Sequence, residues 1–142
     1  MKKFLFLSCA LFVTLSSTAQ QRFTQSGETV KDNWTGLIWQ GNDDGKQRNY
    51  KSAVAYCDKL SWGGYSDWRL PTVKELSGLV DIKKYNPAAE PILKLRTDDW
   101  YWSGSVHVSE SDKTWGVAFD DGLVGWDIQT LEGYVRCVRS GK

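Results

Sequence analysis

The apolar positions of this chain change their spacing several times along its length. Phe4 to Leu15 form a nearly unbroken apolar run, preceded by Lys2 and Lys3 and followed by Ser17-Thr18-Ala19. A positive start, a short apolar stretch and small residues at its end make a secretory leader, too short to span a bilayer. Cleavage is expected after Ala19, so residues 1–19 are a leader and 20–142 one mature domain. Thr29 to Asp32 and Leu37 to Trp39 are short strand-like pieces around Asn33-Trp34-Thr35-Gly36, which predicts an N-terminal hairpin. Asn42-Asp43-Asp44-Gly45 reads as a turn. From Tyr50 to Leu60 the apolar positions Ala53, Val54, Cys57 and Leu60 recur at helical spacing, with Asn49 as the cap.

A second helix start is written more tightly. Thr72 and Glu75 form a capping box, in which hydroxyl and carboxylate each satisfy an orphan amide. Pro71 fixes its own φ and biases Leu70 towards an extended shape, so the chain enters the helix at a set angle. Val73, Leu76, Leu79 and Val80 are expected to be its apolar face, with Leu70 stapled against Leu76. Trp68 and Arg69 stand at the mouth of this start. They read as a structural joint with Pro71, Thr72 and Glu75, the arginine pairing with Asp67 or Glu75.

Asp81 to Asp99 has no clean period, and loops this long in a compact domain are often functional. Strands follow at Trp100 to Ser103, Trp115 to Phe119, Leu123 to Asp127 and Tyr134 to Val138. Asp120-Asp121-Gly122 supplies the hairpin turn between the second and third. Strand alternation places Trp100 and Trp102 on one face and Tyr101 on the other. The order of elements is α+β: two helices packed on an antiparallel sheet, with a long irregular loop region.

Charge and cysteine content narrow the class. Loss of Lys2 and Lys3 with the leader takes the formal charge from +1 to −1, which argues against nucleic acid as a partner. No other stretch is apolar enough for a membrane helix. Cys9 leaves with the leader, so Cys57 and Cys137 remain and are read as one disulfide in an oxidising compartment, periplasmic or extracellular. In the chain-entropy model a loop of that size contributes ~4 to 5 kcal/mol, less any strain. With His107 as the single histidine, zinc would lack its usual ligands, and neither a metal nor a cofactor is expected.

Four blocks now point to a family: TGLIWQ (35–40), AVAYCDKLSWGGYSDWRLPTVKEL (53–76), YWSGS (101–105) and YVRCVR (134–139). Together they resemble the bacterial domain named for the C-terminal part of the Legionella collagen-like adhesin, over roughly residues 23 to 139. The resemblance implies a C-type-lectin-like fold, and the Arg-Leu-Pro-Thr turn is similar to that of sulfatase-modifying proteins. It also implies an adhesin-like role, since the namesake's domain is associated with sulfated glycosaminoglycans. Calcium-dependent sugar binding of the animal lectin kind is not implied. Glu90-Pro91-Ile92 and Trp126-Asp127-Ile128 lack oxygen ligands where such a site needs them.

The chemistry on offer favours recognition over catalysis. No serine or cysteine partners the one histidine, and the paired acids at Asp43-Asp44, Asp98-Asp99 and Asp120-Asp121 are neighbours on turns. The expectation is therefore a non-enzymatic domain. Eight tryptophans are many for this size, and Trp100, Trp102, Trp115 and Trp126 fall in the strand-rich half. They either fill the core or present flat rings to a sugar. Lys83, Lys84, Lys94 and Arg96 either gather for a sulfated glycan or stay solvated. The expected partner is a glycan or another surface macromolecule, the alternative being an accessory subunit that docks an envelope protein.

Overall fold

The computed structural model describes residues 19–141, so all but the last residue of the expected leader lies outside the described residues. The strands are β1 (Phe23–Ser26), β2 (Thr29–Asp32), β3 (Leu37–Gln40), β4 (Trp100–Val106), β5 (Lys113–Ala118), β6 (Val124–Ile128) and β7 (Val138–Ser140). The helices are α1 (Tyr50–Asp58) and α2 (Val73–Ser77), with a 3-10 turn at Pro91–Leu93. The strands form two antiparallel sheets, ordered β1-β2-β3-β7 and β4-β5-β6. This α+β architecture is consistent with the C-type-lectin-like fold.

β4 separates two cores. Tyr101 points into one, with Trp39, Leu76, Val117 and Phe119. Its neighbour Trp102 points the opposite way, into a second core with Ala53, Cys57, Trp68, Leu70 and Val135. α2 lies against β4 and β5, and α1 against β4. The Cys57–Cys137 disulfide ties α1 to the residue preceding β7, with Cα atoms 5.7 Å apart.

Several elements depart from the sequence expectation for identifiable reasons. β1 has only Phe23 buried along its length, so it carries no strong alternation to read. α2 is five residues long, stopped at the Gly78 C-cap, so Leu79 and Val80 follow the helix rather than belong to its face. Leu70 and Leu76 fall in different cores, so no staple joins them. The last strand is Val138–Ser140 and pairs with β3, not with the meander. Tyr134 pairs with β4 through a single parallel bridge at Tyr101, not through a continuous ladder. The alternation of residues 134–138 arises because Tyr134 and Val138 fill the first core while Val135 and Cys137 fill the second.

The long segment 81–99 is anchored along much of its course. The Asn86 and Ala88 amides donate to the Asp120 and Phe119 carbonyls at 2.8 and 2.7 Å, and Leu93 and Leu95 are buried. Two guanidinium nitrogens of Arg136 donate to the Leu93 and Lys94 carbonyls at 2.6 and 3.3 Å. Gly122, at φ +84°, makes the β5–β6 turn that this segment grips, and a Cβ there would stand 2.6 Å from Val80.

Candidate functional site

The joint at residues 68–75 is built as one bonded unit. Thr72 Oγ1 accepts from the Glu75 amide at 3.1 Å, and Glu75 Oε2 accepts from the Thr72 amide at 3.3 Å. The same carboxylate takes both terminal nitrogens of Arg69, at 2.9 and 3.1 Å. Asp67 instead holds Arg139 at 2.6 and 3.0 Å. Trp68 is buried, its indole donating to the Trp62 and Tyr65 carbonyls at 3.3 and 3.1 Å. The Pro71 carbonyl accepts from the Gly104 amide at 2.7 Å, and Arg69 exchanges two 2.9 Å backbone bonds with Val138. The backbone bonds of Arg69 and Pro71 tie this corner to β7 and β4, and the Glu75 carboxylate fixes Arg69 against the start of α2.

The second buried polar cluster centres on Asp43. Its carboxylate accepts from Arg96 Nε at 2.8 Å, Tyr101 Oη at 2.7 Å and Arg136 Nη2 at 3.1 Å. Burial alone would raise the Asp43 pKa, but the bonds from Arg96, Tyr101 and Arg136 outweigh it and hold it below the usual carboxylate range. Burial likewise pushes the Tyr101 phenol well above its ordinary value. Both guanidinia and the phenol are directed at this one carboxylate, while Arg136 Nε is buried without a hydrogen-bond partner. The cluster is a fastener between the turn at 42–45, β4 and the 134–138 segment.

The four candidate cations do not form a free basic patch. Arg96 is committed to Asp43, and Lys84 to both Asp81 and Glu90. Lys83 and Lys94 remain exposed, but Lys94 Cα serves the C-cap of the 3-10 turn at φ 48°.

The four candidate tryptophans separate into two pairs. Trp102 is 0% exposed, and its indole donates to the Arg48 carbonyl at 2.8 Å. Trp100 packs against it at 4.5 Å between ring centroids and lies over Gly116, where a Cβ would stand 2.6 Å from the ring. Of the two alternatives for these rings, Trp102 takes the core and Trp100 is half-buried against it. Trp115 and Trp126 sit directly opposite each other across β5 and β6, and Trp126 keeps 44% of its surface exposed.

Around that pair the structure assembles residues the sequence did not single out as partners. The His107 imidazole stacks on Trp115 at 5.7 Å and 23°, and meets Trp126 edge-on at 5.5 Å. Lys113 Nζ lies 4.1 Å over the Trp126 ring and pairs with Glu110. His107 Nδ1 accepts from the Ser109 amide at 3.3 Å, which leaves Nε2 as the protonated nitrogen of the neutral ring. Val124 and Ile128 extend the exposed face on either side of Trp126. The available signal was β5–β6 pairing: once the turn at 120–122 sets the register, Trp115 must face Trp126. Lys113, two residues before Trp115 on β5, shares its face by the same alternation, whereas His107 carried no such signal, since it follows the irregular β4–β5 register between Trp102 and Val106.

The result is an apolar, aromatic shelf rimmed by an imidazole, an ammonium and a carboxylate. Such a surface can stack on a flat partner and exchange hydrogen bonds at its edge. Among the described residues no group of three or more His, Cys, Asp and Glu side chains could hold a metal ion. No helix among them is long and apolar enough to cross a membrane. Comparison with curated proteins returns no match to the chain. The family model of the Lcl C-terminal domain matches residues 28–139, which run from the β1–β2 turn into β7 and include both helices and the shelf, and the chain belongs to that family.

Proposed function

We propose that the protein is an exported, non-enzymatic recognition domain that binds a glycan on the Trp115–Trp126 shelf. The observation that carries this reading is the half-exposed Trp126 ring, met edge-on by His107 and covered on one side by the Lys113 ammonium, opposite Trp115 across the strands. Aromatic rings fixed by such contacts offer stacking surface at small entropic cost, and the rim groups match the hydroxyls of a sugar. Export is supported by the leader pattern of residues 1–19 and by the disulfide, which persists in oxidising compartments. Because Lys84 and Arg96 are already paired, a neutral or weakly anionic glycan suits the shelf better than a heavily sulfated one. The exposed Trp34 and Ile82, which flank one open hollow, favour a second reading as an accessory subunit for an envelope protein.

The test is a glycan array, sulfated glycosaminoglycans included, probed with purified protein at low and physiological salt. Salt-resistant binding that disappears in Trp126→Ala is the expected result. Binding that fades with salt would move the site to the lysines. Folded protein that binds nothing would overturn the glycan reading, and capture of one envelope protein through Trp34 would replace it.

A further inference from the structure

Two groups on the rim of the shelf carry opposite charges and hold each other. The Lys113 ammonium pairs with the Glu110 carboxylate while lying 4.1 Å over the Trp126 ring. Glu110 is held below the usual carboxylate range, chiefly by its bond from Lys113, so it is ionised throughout the neutral range. The two charges cancel. The third rim group is His107, half-buried against both indoles. Histidine is the one ordinary side chain whose charge changes between pH 5 and 8, so His107 decides whether the rim is neutral or positive.

The surroundings of the ring admit both of its protonation states. β5 brings Lys113 and Trp115 to it, and β6 brings Trp126, while Asp127 alternates to the opposite face of β6, level with Thr114. Within its own turn, Glu110 is close enough to feel its charge, and Asp112 makes no hydrogen bond or ion pair with it among the described residues. In the neutral ring Nδ1 accepts from the Ser109 amide at 3.3 Å, and Nε2 carries the proton. A proton added to Nδ1 ends that bond, because two N–H groups then face each other. The same proton turns the 5.7 Å stack on Trp115 into a cation against an indole face, which is favourable. One contact replaces another, and the ring stays on the shelf in either state.

We propose that His107 is the specificity-determining residue of the shelf, which takes an uncharged sugar when the imidazole is neutral and an acidic one, a uronate, when it is protonated. The preference rests on the glycan reading given above; the protonation and its effect on the indoles do not. A uronate fits because its pyranose ring stacks as that of a neutral sugar does, while its one carboxylate matches one net positive charge.

His107 is the chain's only histidine, so in untagged protein its imidazole Cε1–H resonance is assigned without a variant. That resonance is expected to move in one step between about pH 5 and about pH 8, and the Trp115 and Trp126 indole signals to move with the same midpoint. In His107→Gln, which keeps a flat hydrogen-bonding group but takes no proton, the indole signals should hold still. Oligogalacturonate and its methyl ester then form a matched pair, the same sugar with and without charge. Oligogalacturonate is expected to bind about tenfold more tightly at about pH 5.5 than at about pH 7.5, the value of a hydrogen bond that gains charge assistance. Neither the ester nor His107→Gln should show that gain. An imidazole resonance that stays fixed, or indole signals that still step in His107→Gln, would overturn the proposal and leave the glycan reading intact. Oligogalacturonate binding that ignores pH would do the same. Absence of binding by both oligomers at both pH values would also overturn it, and the glycan array decides separately whether the shelf reading falls with it.

Discussion

β4 and β6 flank the same central strand and look alike as sequence, WYWSGSV against VGWDI, each with large apolar residues at alternate positions. Their surroundings are opposite. β4 has its first three residues packed into cores on both sides, while β6 exposes Val124, Trp126 and Ile128 along one face. The difference comes from distant chain. α1 and its disulfide cover one face of β4, α2 lies against the other, and Tyr134 closes its free edge through 2.9 and 3.0 Å backbone bonds with Trp100 and Trp102. β6 is an edge strand, and among the described residues nothing comparable is brought to its exposed face. Alternation decides which side chains share a face; only the arrival of other segments decides whether that face is core or surface.

The contrast predicts unequal costs for the same substitution. Trp102→Ala opens a cavity at the centre of the second core and strands the Arg48 carbonyl. It is expected to destabilise by about 3 to 5 kcal/mol, read as a lower urea midpoint with an unchanged slope. A cost below about 1 kcal/mol would mean that β4 is not the wall between two cores.

The other face of β4 depends on Asp43. Asp43→Asn leaves Arg136, which is 1% exposed, without its carboxylate. The expected loss is about 3 kcal/mol at neutral pH, by the rule for breaking one side of a buried pair. Its pH dependence has a definite sign. Asp43 is depressed in the folded state, so its contribution is complete above the ordinary value of 3.8 and disappears as pH falls through the lower folded value. Urea midpoints measured from pH 6 downwards are therefore expected to fall less steeply for Asp43→Asn than for the parent. Parallel curves would remove Asp43 from the account of acid sensitivity.

Local chemistry was the readable part of this fold. The capping box at Thr72 and Glu75, the Asn49 cap and the Asp120-Asp121-Gly122 turn each depend on residues within a few positions, and each forms as expected. The disulfide followed from counting cysteines once export was assumed. What resisted reading was non-local. Residues 134–138 alternate like a meander strand but serve two cores and a different sheet. Arg96 looks like a free loop cation until Asp43 arrives from elsewhere; the partners of Lys84, by contrast, are Asp81 and Glu90 of its own segment. The shelf was half readable: Trp115 and Trp126 were visible as candidates and Lys113 shares their face by alternation along β5, whereas His107 reaches them only past the irregular β4–β5 register.

The smallest expected change in stability is at β6, and it is the most informative for function. Trp126→Ala removes a ring that is already half in water, and what it loses is the contact with His107 and the Lys113 ammonium over its face. An exposed cation–π contact contributes about 0.5 to 1 kcal/mol, so the urea midpoint should move by no more than that. If glycan binding vanishes while the midpoint barely moves, Trp126 is held in place to meet a ligand rather than to stabilise the sheet. If the midpoint instead falls as far as for Trp102→Ala, the exposed face of β6 is structural after all, and the asymmetry between the two strands is one of solvent exposure alone.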